Sequence, residues 1–299
     1  MKAGSITVRA PAKINLYLAV GARRDDGYHD VTTVLQSLEL HDTVRIAPAA
    51  ALSLNCDAEL GIPAEENLAY RAAVAFEAAF GVPAIVDVTL EKRIPPGAGL
   101  GGGSADAAAV LAGLAHLGGV PVDSPELAAV ARTLGADVPY FLMGGAALLE
   151  GRGDRFVRKL PFVLMDVVVI QPPGRVVTAA AYAAFDREQS RTAAPGVRHL
   201  ADAVRFADVP EVARQLFNNM TTPSSGLVAG IADALAWVHE APGVLGAAMA
   251  GSGSSVFGIC SDIAGARAVA DAARERGWWA QATCTTPDGV VVLADKEQQ

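Results

Sequence analysis

Strands and helices interleave along this sequence, which predicts an α/β or α+β protein. Three observations carry that reading. Residues 85–92 alternate Val86, Val88 and Leu90 with Asp87, Thr89 and Glu91, the period of a half-buried strand. Residues 67–80 place Leu68, Val74, Phe76 and Phe80 at helical spacing and stop at Gly81. Between that strand and an alanine-rich helical run lies a stretch with five glycines in seven residues, Gly97 to Gly103.

Taken in order, residues 6–8 and 14–20 read as strands, interrupted by Pro11, which cannot donate to a ladder. Arg23-Arg24-Asp25-Asp26-Gly27 is a turn signal, because Asp-Gly supplies positive φ cheaply. Residues 31–40 form an apolar, β-branched return strand. His41-Asp42 reads as a turn, and residues 43–46 and 52–55 as short strands. After the glycines a helix is expected over 104–117, closed by Gly118-Gly119 and Pro121. Ser124-Pro125 supplies an N-cap and a first-turn proline for a helix to Leu134. The apolar run 163–170 is a buried strand. Helices are expected over 177–187, 211–220, 226–240 and 264–276, and a last strand over 290–294. Residues 189–197 read as a loop. A seam is expected near 158–161, dividing the chain into units 1–160 and 161–299.

The 299 residues are 52% hydrophobic and 19% charged, too apolar for disorder. The mean hydropathy of +0.31 comes largely from 59 alanines rather than from membrane spans. A net charge of −8 demotes general nucleic-acid binding, which needs a basic surface. A polyanion would have to be held locally, by backbone N–H groups, a few cations or a metal. Cys56, Cys260 and Cys284 are odd in number and far apart, which argues against a disulfide framework and a structural zinc site. The first residues show no apolar leader, so a reducing cytoplasm is the expected home.

The glycine stretch, Pro95-Pro96-Gly97-Ala98-Gly99-Leu100-Gly101-Gly102-Gly103-Ser104, is the sharpest feature. Glycine permits positive φ and close approach of backbone to a ligand. The following helix adds unpaired N–H groups and a positive dipole end, which together make an anion site suited to phosphate. Ser104 can cap that helix or ligate magnesium, and Asp106 in the first turn could hold a metal. Residues 97–102 also match the dinucleotide fingerprint GxGxxG, but no acidic residue follows at a strand end. The chain holds no GK[ST] of a Walker A loop and no kinase HRD or DFG. A second small-residue loop, Ala250-Gly251-Ser252-Gly253-Ser254-Ser255, could close over a phosphate or simply join two strands. Lys13 enters an otherwise apolar strand, where a lysine needs a partner. Asp137, in Gly135-Ala136-Asp137-Val138-Pro139, is either a turn residue or a catalytic carboxylate.

Together, Pro11-Ala12-Lys13-Ile14-Asn15-Leu16, the segment from Pro95 to Ala105 and the segment from Gly246 to Ser255 resemble the three motifs of the GHMP kinases. Arg24-Asp25-Asp26-Gly27-Tyr28-His29, Leu134-Gly135-Ala136-Asp137-Val138-Pro139 and Ala250-Gly251-Ser252-Gly253 narrow the resemblance. They point to the branch acting on a diphosphocytidyl ester of methylerythritol in non-mevalonate isoprenoid precursor synthesis. The resemblance implies a two-domain α+β GHMP kinase fold. Its N-terminal ATP-binding domain (1–160) would be ribosomal-protein-S5-like and its C-terminal domain (161–299) ferredoxin-like, with ligands in the cleft between them. It implies ATP with Mg2+, a small-molecule cytidine-diphosphate substrate, and neither nucleic acid nor membrane as partner. The reaction would be phosphorylation of the substrate's 2-hydroxyl, giving the 2-phosphate and ADP.

Residue by residue, the resemblance puts ATP on Pro95, Pro96, Gly97, Ala98, Gly99, Leu100, Gly101, Gly102, Gly103, Ser104 and Ala105. Lys13 and Asp137 match the catalytic pair. Asn15, Tyr28, His29, Lys92, Thr178 and Tyr182 match substrate contacts, and Gly251, Ser252 and Gly253 form the loop on the phosphate side. Ser104 and Asp106 are the candidate magnesium ligands. Asp137 would take the hydroxyl proton, Lys13 would stabilise the developing alkoxide and Tyr28 would stack on the base. The alternatives are a GHMP kinase of homoserine or mevalonate type, a dinucleotide-binding oxidoreductase, and a nucleotide-binding protein without catalysis.

Overall fold

The computed structural model describes residues 4–188 and 193–294. In chain order its elements are β1 (Ile6–Arg23), β2 (His29–Pro48), β3 (Ser53–Cys56), α1 (Leu68–Phe80), β4 (Val86–Glu91), α2 (Gly102–Gly118), α3 (Pro125–Leu134), α4 (Val138–Met143), β5 (Ala146–Glu150) and β6 (Arg155–Leu160). There follow β7 (Asp166–Gln171), α5 (Thr178–Arg187), α6 (Val197–Arg205), α7 (Val209–Arg214), β8 (Phe217–Asn218), α8 (Thr221–Leu227) and α9 (Gly230–Glu240). The last are β9 (Val244–Met249), β10 (Val256–Cys260), α10 (Ile263–Glu275), β11 (Trp279–Cys284) and β12 (Val291–Ala294).

Two sheets result. The first runs β12-β1-β2-β4-β3, with β5 pairing β2 and β6, and β8 pairing β1; the second runs β11-β7-β10-β9. Helices α1 to α4 cover one face of the first sheet, in a core that includes Val8, Val44, Val88, Phe76 and Phe141. Its other face packs towards the second sheet: Ile14, Leu16 and Val34 share a core with Val167, Val169 and Phe257. Helices α5, α9 and α10 cover the far face of the second sheet, around Phe185, Val238 and Ala270. Small side chains make the central packing close. Helix α2 is buried on nearly every side, and a Cβ at Gly113 would lie 2.5 Å from Ile46 Cδ1.

The chain leaves the first sheet near 161–165 and returns near 285–290. These two crossings lie side by side. Thr285 N donates to Met165 O at 3.0 Å, and Met165 N donates to Thr285 Oγ1 at 2.9 Å. Strand β12 then pairs antiparallel with β1, Ile6 opposite Ala294.

Several expectations need correction. Pro11 does not end a strand: β1 runs through it, with a register shift between Pro11 and Lys13. Among the described residues β12 pairs with β1 only as far as Arg9 and β8 only from Tyr17, so apart from β2 no strand is paired with β1 at Pro11. His41-Asp42 is not a turn but lies inside β2. Asp42 is fully buried there because it accepts from Arg93 N and Ile94 N, at 2.6 and 2.8 Å, and from Lys92 Nζ. Val74 faces solvent, and α1 buries Ala69, Ala72, Ala73 and Phe76 instead.

Helix α2 begins two residues before Ser104, with Gly101 as its cap, so Ser104 is not the N-cap. The expected helix over 211–220 ends at Arg214 and gives way to β8, because Phe217 and Asn218 pair with Tyr17 and Leu18. The expected helix over 226–240 starts later, at Gly230, as α9, and a separate helix, α8, ends at Leu227 just before it. Strands β5, β6 and β11 and helices α4 and α6 were not anticipated. Of the expected loop over 189–197, residues 189–192 lie outside the described residues, and α6 starts at Val197. Ser124 caps α3 as expected, accepting from Leu127 N.

Candidate active site

Three separated segments of backbone build the site. The glycine stretch adopts positive φ at alternate residues, 69° at Gly97, 79° at Gly99 and 77° at Gly101. That zigzag is open to glycine and strained for any residue with a Cβ. It is clasped from both sides: Lys13 N donates to Leu100 O at 2.9 Å, and Ser255 N donates to Ala98 O at 3.1 Å. No side chain caps α2, so the N–H groups of its first turn are left for a ligand at the positive end of a 17-residue helix.

The contacts leave no room for side chains. A Cβ on Gly99 would fall 2.1 Å from Ala250 O. One on Gly101 would fall 2.7 Å from the Phe141 ring and 3.1 Å from Lys13 Cγ. The 250–255 loop is the connection between β9 and β10, and it is fixed by side chains. Asn218 Nδ2 donates to Met249 O and Gly251 O, at 2.7 and 2.8 Å, and Ser224 Oγ donates to Ser252 O.

Between these loops is a cleft of about 650 Å³. Lys13 is 4% exposed at its floor, and its Nζ donates to Asn15 Oδ1 at 2.8 Å. The same oxygen accepts from Gly251 N at 2.9 Å, so Asn15 ties β1 to the second loop. Asn15 Nδ2 in turn donates to Thr33 Oγ1. Asp137, just ahead of α4, brings its carboxylate to 3.9 Å from Lys13 Nζ; its side chain is about a third exposed, towards the cleft. Burial lowers the Lys13 ammonium from its ordinary value, and Asp137 pulls it back up.

At the other end of the glycine loop, Lys92 lies between two buried carboxylates, Asp42 and Asp106. Its Nζ donates to Asp106 Oδ2 at 2.5 Å. Burial raises the Asp106 carboxyl, to about 7, with Lys92 opposing and Asp42 adding. Asp106 Oδ1 is buried without a hydrogen-bond partner.

The structure brings most sequence-predicted residues to one cleft. Lys13, Asn15, Lys92 and Asp137 line it, as do the loop from Pro95 to Ser104, Thr178, Tyr182, Gly251 and Ser252. Thr178 Oγ1 and Ser252 Oγ are 3.2 Å apart across it. Four predicted residues do not line it. Ala105 is buried in the core of α2, and Gly253 packs back against Met249 and Ile231. His29 is buried behind the wall, hydrogen-bonded to Asp186 at 2.8 Å, with its ring 5.1 Å from that of Tyr182. Tyr28 is 54% exposed at the rim, and the guanidinium of Arg152 lies over its ring at 4.6 Å.

Sequence reasoning missed Arg152, Asp42 and Asn218. Arg152 had a signal, the flanking Gly151 and Gly153. Asp42 in an apolar strand resembled a turn, and Asn218 showed none.

Residues 67–145 match the GHMP kinases N terminal domain family, and residues 200–277 the GHMP kinases C terminal family. The 4-diphosphocytidyl-2-C-methyl-D-erythritol kinase of Pelotomaculum thermopropionicum is 42% identical over 267 residues, covering 89% of this chain and 92% of that protein. The chain belongs to the 4-diphosphocytidyl-2-C-methyl-D-erythritol kinase family. The family member from Deinococcus radiodurans is 39% identical, covering 91% of each chain. A crystal structure of a 4-(cytidine 5'-diphospho)-2C-methyl-D-erythritol kinase superposes with a TM-score of 0.77 at 38% identity, covering 93% of this chain and 98% of that one. Homoserine kinase from Cytophaga hutchinsonii superposes at a TM-score of 0.75 with 20% identity, which shows a shared fold. The two-domain α+β GHMP kinase architecture and ATP-dependent small-molecule kinase chemistry follow from membership in this family. Among the described residues, no helix is long and apolar enough to cross a membrane.

Proposed function

We propose that this chain transfers the γ-phosphoryl group of ATP to the 2-hydroxyl of 4-diphosphocytidyl-2-C-methyl-D-erythritol, giving the 2-phosphate and ADP. The observation that carries the reading is the 3.9 Å approach of Lys13 to Asp137 in a cleft floored by the glycine loop. The family relatives support the cytidine substrate over homoserine or mevalonate, whose kinases resemble this chain at 20% and 11% identity.

Each residue then has a task. The backbone N–H groups of the 95–105 loop and the first turn of α2 cradle the nucleotide's phosphates. Asp137 accepts the proton of the 2-hydroxyl as that oxygen attacks the γ-phosphorus and ADP departs. Lys13 stabilises charge on the attacking oxygen, and Asn15 holds its ammonium in place. Gly251 and Ser252 close the phosphates from the opposite side, with Gly253 shaping the loop. Tyr28 presents a flat face to the cytosine, Tyr182 faces the cleft with the His29 ring packed against it, and Thr178 reaches the substrate beside Ser252. Lys92 fixes the base of the glycine loop through Asp42 and Asp106 rather than reaching freely into the cleft.

Magnesium fits the residues present. Among the described residues no cluster of three His, Cys, Asp or Glu forms a cage. The Ser104 hydroxyl and the orphaned Asp106 Oδ1 are the oxygens that would hold it. When bound, it would neutralise charge on the β- and γ-phosphates. We propose the boundary between the N-terminal ATP-binding domain (1–160) and the C-terminal domain (161–299) at the first crossing, with β12 returning to the first sheet.

The test is ADP release with magnesium–ATP and 4-diphosphocytidyl-2-C-methylerythritol, with homoserine and mevalonate run beside it. Turnover with the cytidine compound alone is expected. Turnover only with another alcohol would keep the kinase and remove the cytosine pocket.

A further inference from the structure

Three cations line the cleft: Lys13, Lys92 and Arg152. Lys13 faces Asp137 and Lys92 faces Asp42 and Asp106, so both are committed to the glycine-loop side. Arg152 stands at the opposite wall, in the turn between β5 and β6. That turn is built tightly. Gly151 and Gly153 have φ of 73° and 87°, Val31 N donates to Gly151 O at 2.7 Å, and Gly153 N donates to Glu150 O at 3.1 Å.

The guanidinium is held on one side by Asp154. Nε and Nη2 of Arg152 donate to Asp154 Oδ2 at 3.4 and 3.1 Å, and Arg152 N donates to Asp154 Oδ1 at 3.1 Å. Its flat face covers the Tyr28 ring, 4.6 Å from the centroid. Tyr28 sits on the β1–β2 turn and is 54% exposed, so little else restrains its side chain. A planar, delocalised cation is suited to such stacking, and a ring already held in place loses less freedom when a ligand stacks on it.

We infer that Arg152 is a specificity-determining positioning residue: stacked on Tyr28 and anchored by Asp154, it fixes that ring at the cleft rim and leaves the ring's other face for a flat base. The inference rests on the proposed reading that Tyr28 meets the cytosine. Arg152 acts through Tyr28, so its effect belongs to cytidine recognition and not to ATP or to the phosphoryl transfer step. The base-binding platform is then a relay of three residues from two turns, Asp154, Arg152 and Tyr28.

The experiment is a double-mutant cycle read by calorimetric binding of cytidine diphosphate and by steady-state kinetics. Arg152 is part-exposed, so Arg152→Ala is expected to keep the wild-type melting temperature. It should weaken cytidine diphosphate binding and raise KM for the diphosphocytidyl substrate by about three- to fivefold, the scale of an exposed cation–π contact. KM for ATP and kcat should stay within about twofold of wild type. Arg152→Lys should recover part of the loss and Asp154→Asn should produce a smaller one. In a Tyr28→Ala background, Arg152→Ala should add nothing. Unchanged cytidine diphosphate binding in Arg152→Ala would overturn the inference. So would a full additive loss in the Tyr28→Ala background, since Arg152 would then act on the ligand independently of Tyr28. Wild-type protein that binds cytidine diphosphate but turns over none of the alcohols would overturn the proposed reaction and leave the cycle readable.

Discussion

The Lys13 ammonium and the Asp137 carboxylate stand 3.9 Å apart, one buried and the other about a third exposed. Asp137 thus offers an oxygen to the cleft while its charge is met from behind. Replacing it with alanine should lower kcat by about 10²- to 10⁴-fold, the usual contribution of a general base. ATP affinity, measured by calorimetry, should be unchanged, because the nucleotide is held by the glycine loop. Near-normal turnover in Asp137→Ala would remove Asp137 from the base role.

Activity should fall on the alkaline side earlier than an ordinary lysine would dictate. Lys13 is protonated below its pKa, and burial moves that pKa down from the free value of about 10.4. Asp137 opposes the shift, so Asp137→Asn should move the alkaline limb of the residual rate lower still. Lys13→Arg, whose charge persists, should abolish the limb in any activity that remains. For stability the sign is the reverse. Between the folded and unfolded pKa values the unfolded chain binds more protons at Lys13, so this residue's contribution improves as pH rises through that window. A pH–rate profile and urea melts at matched pH values read both effects.

Gly99→Ala should damage fold and activity together. Its φ of 79° alone costs about 1–2 kcal/mol for a residue with a Cβ. The added methyl would also meet Ala250 O at 2.1 Å, so the two loops cannot keep their spacing. The melting temperature should fall by about 1.5 °C per kcal/mol at this chain length. ATP affinity should fall by more than tenfold in the protein that remains folded.

Lys92→Met should destabilise strongly without touching the reacting atoms. It leaves Asp42 and Asp106 buried side by side with no cation, the situation that costs about 3–5 kcal/mol when one partner of a buried ion pair is removed. A urea titration should show a lowered midpoint. The triple variant Lys92→Met, Asp42→Asn, Asp106→Asn should recover most of the loss, because the buried charges go together.

The sequence was legible where local chemistry decides the outcome. The alternation of Val86, Val88 and Leu90, the Ser124 cap, the Gly81 stop and the glycine stretch are local signals, and each element formed where it was read. The errors fall where distant residues decide. Pro11 and Asp42 look like breaks in isolation. Both sit inside long strands because neither β12 nor β8 pairs with β1 at Pro11 and the 92–94 backbone gives Asp42 its donors. Phe217-Asn218 left a helix only because β1 was there to pair with. In the site, Lys13 stood out as a lysine in an apolar strand and Asp137 as a carboxylate after the Gly135 helix stop, whereas Asn15 was marked only by the family resemblance. Arg152 did not, because nothing local says that the turn carrying it folds beside Tyr28.

The paired crossings near Met165 and Thr285 set how the cleft can open. A single linker would let one sheet swivel freely against the other. Two strands of chain, hydrogen-bonded to each other and continued by β12 on β1, act instead as the spine of a book. Bending across the spine parts the Asn15–Gly251 and Ser255–Ala98 hydrogen bonds at the cleft mouth, whereas twisting must also break the reciprocal Met165–Thr285 bonds. Any breathing of the two loops over a nucleotide is therefore expected to follow one preferred axis, with the Lys13–Asp137 pair carried along rather than sheared apart.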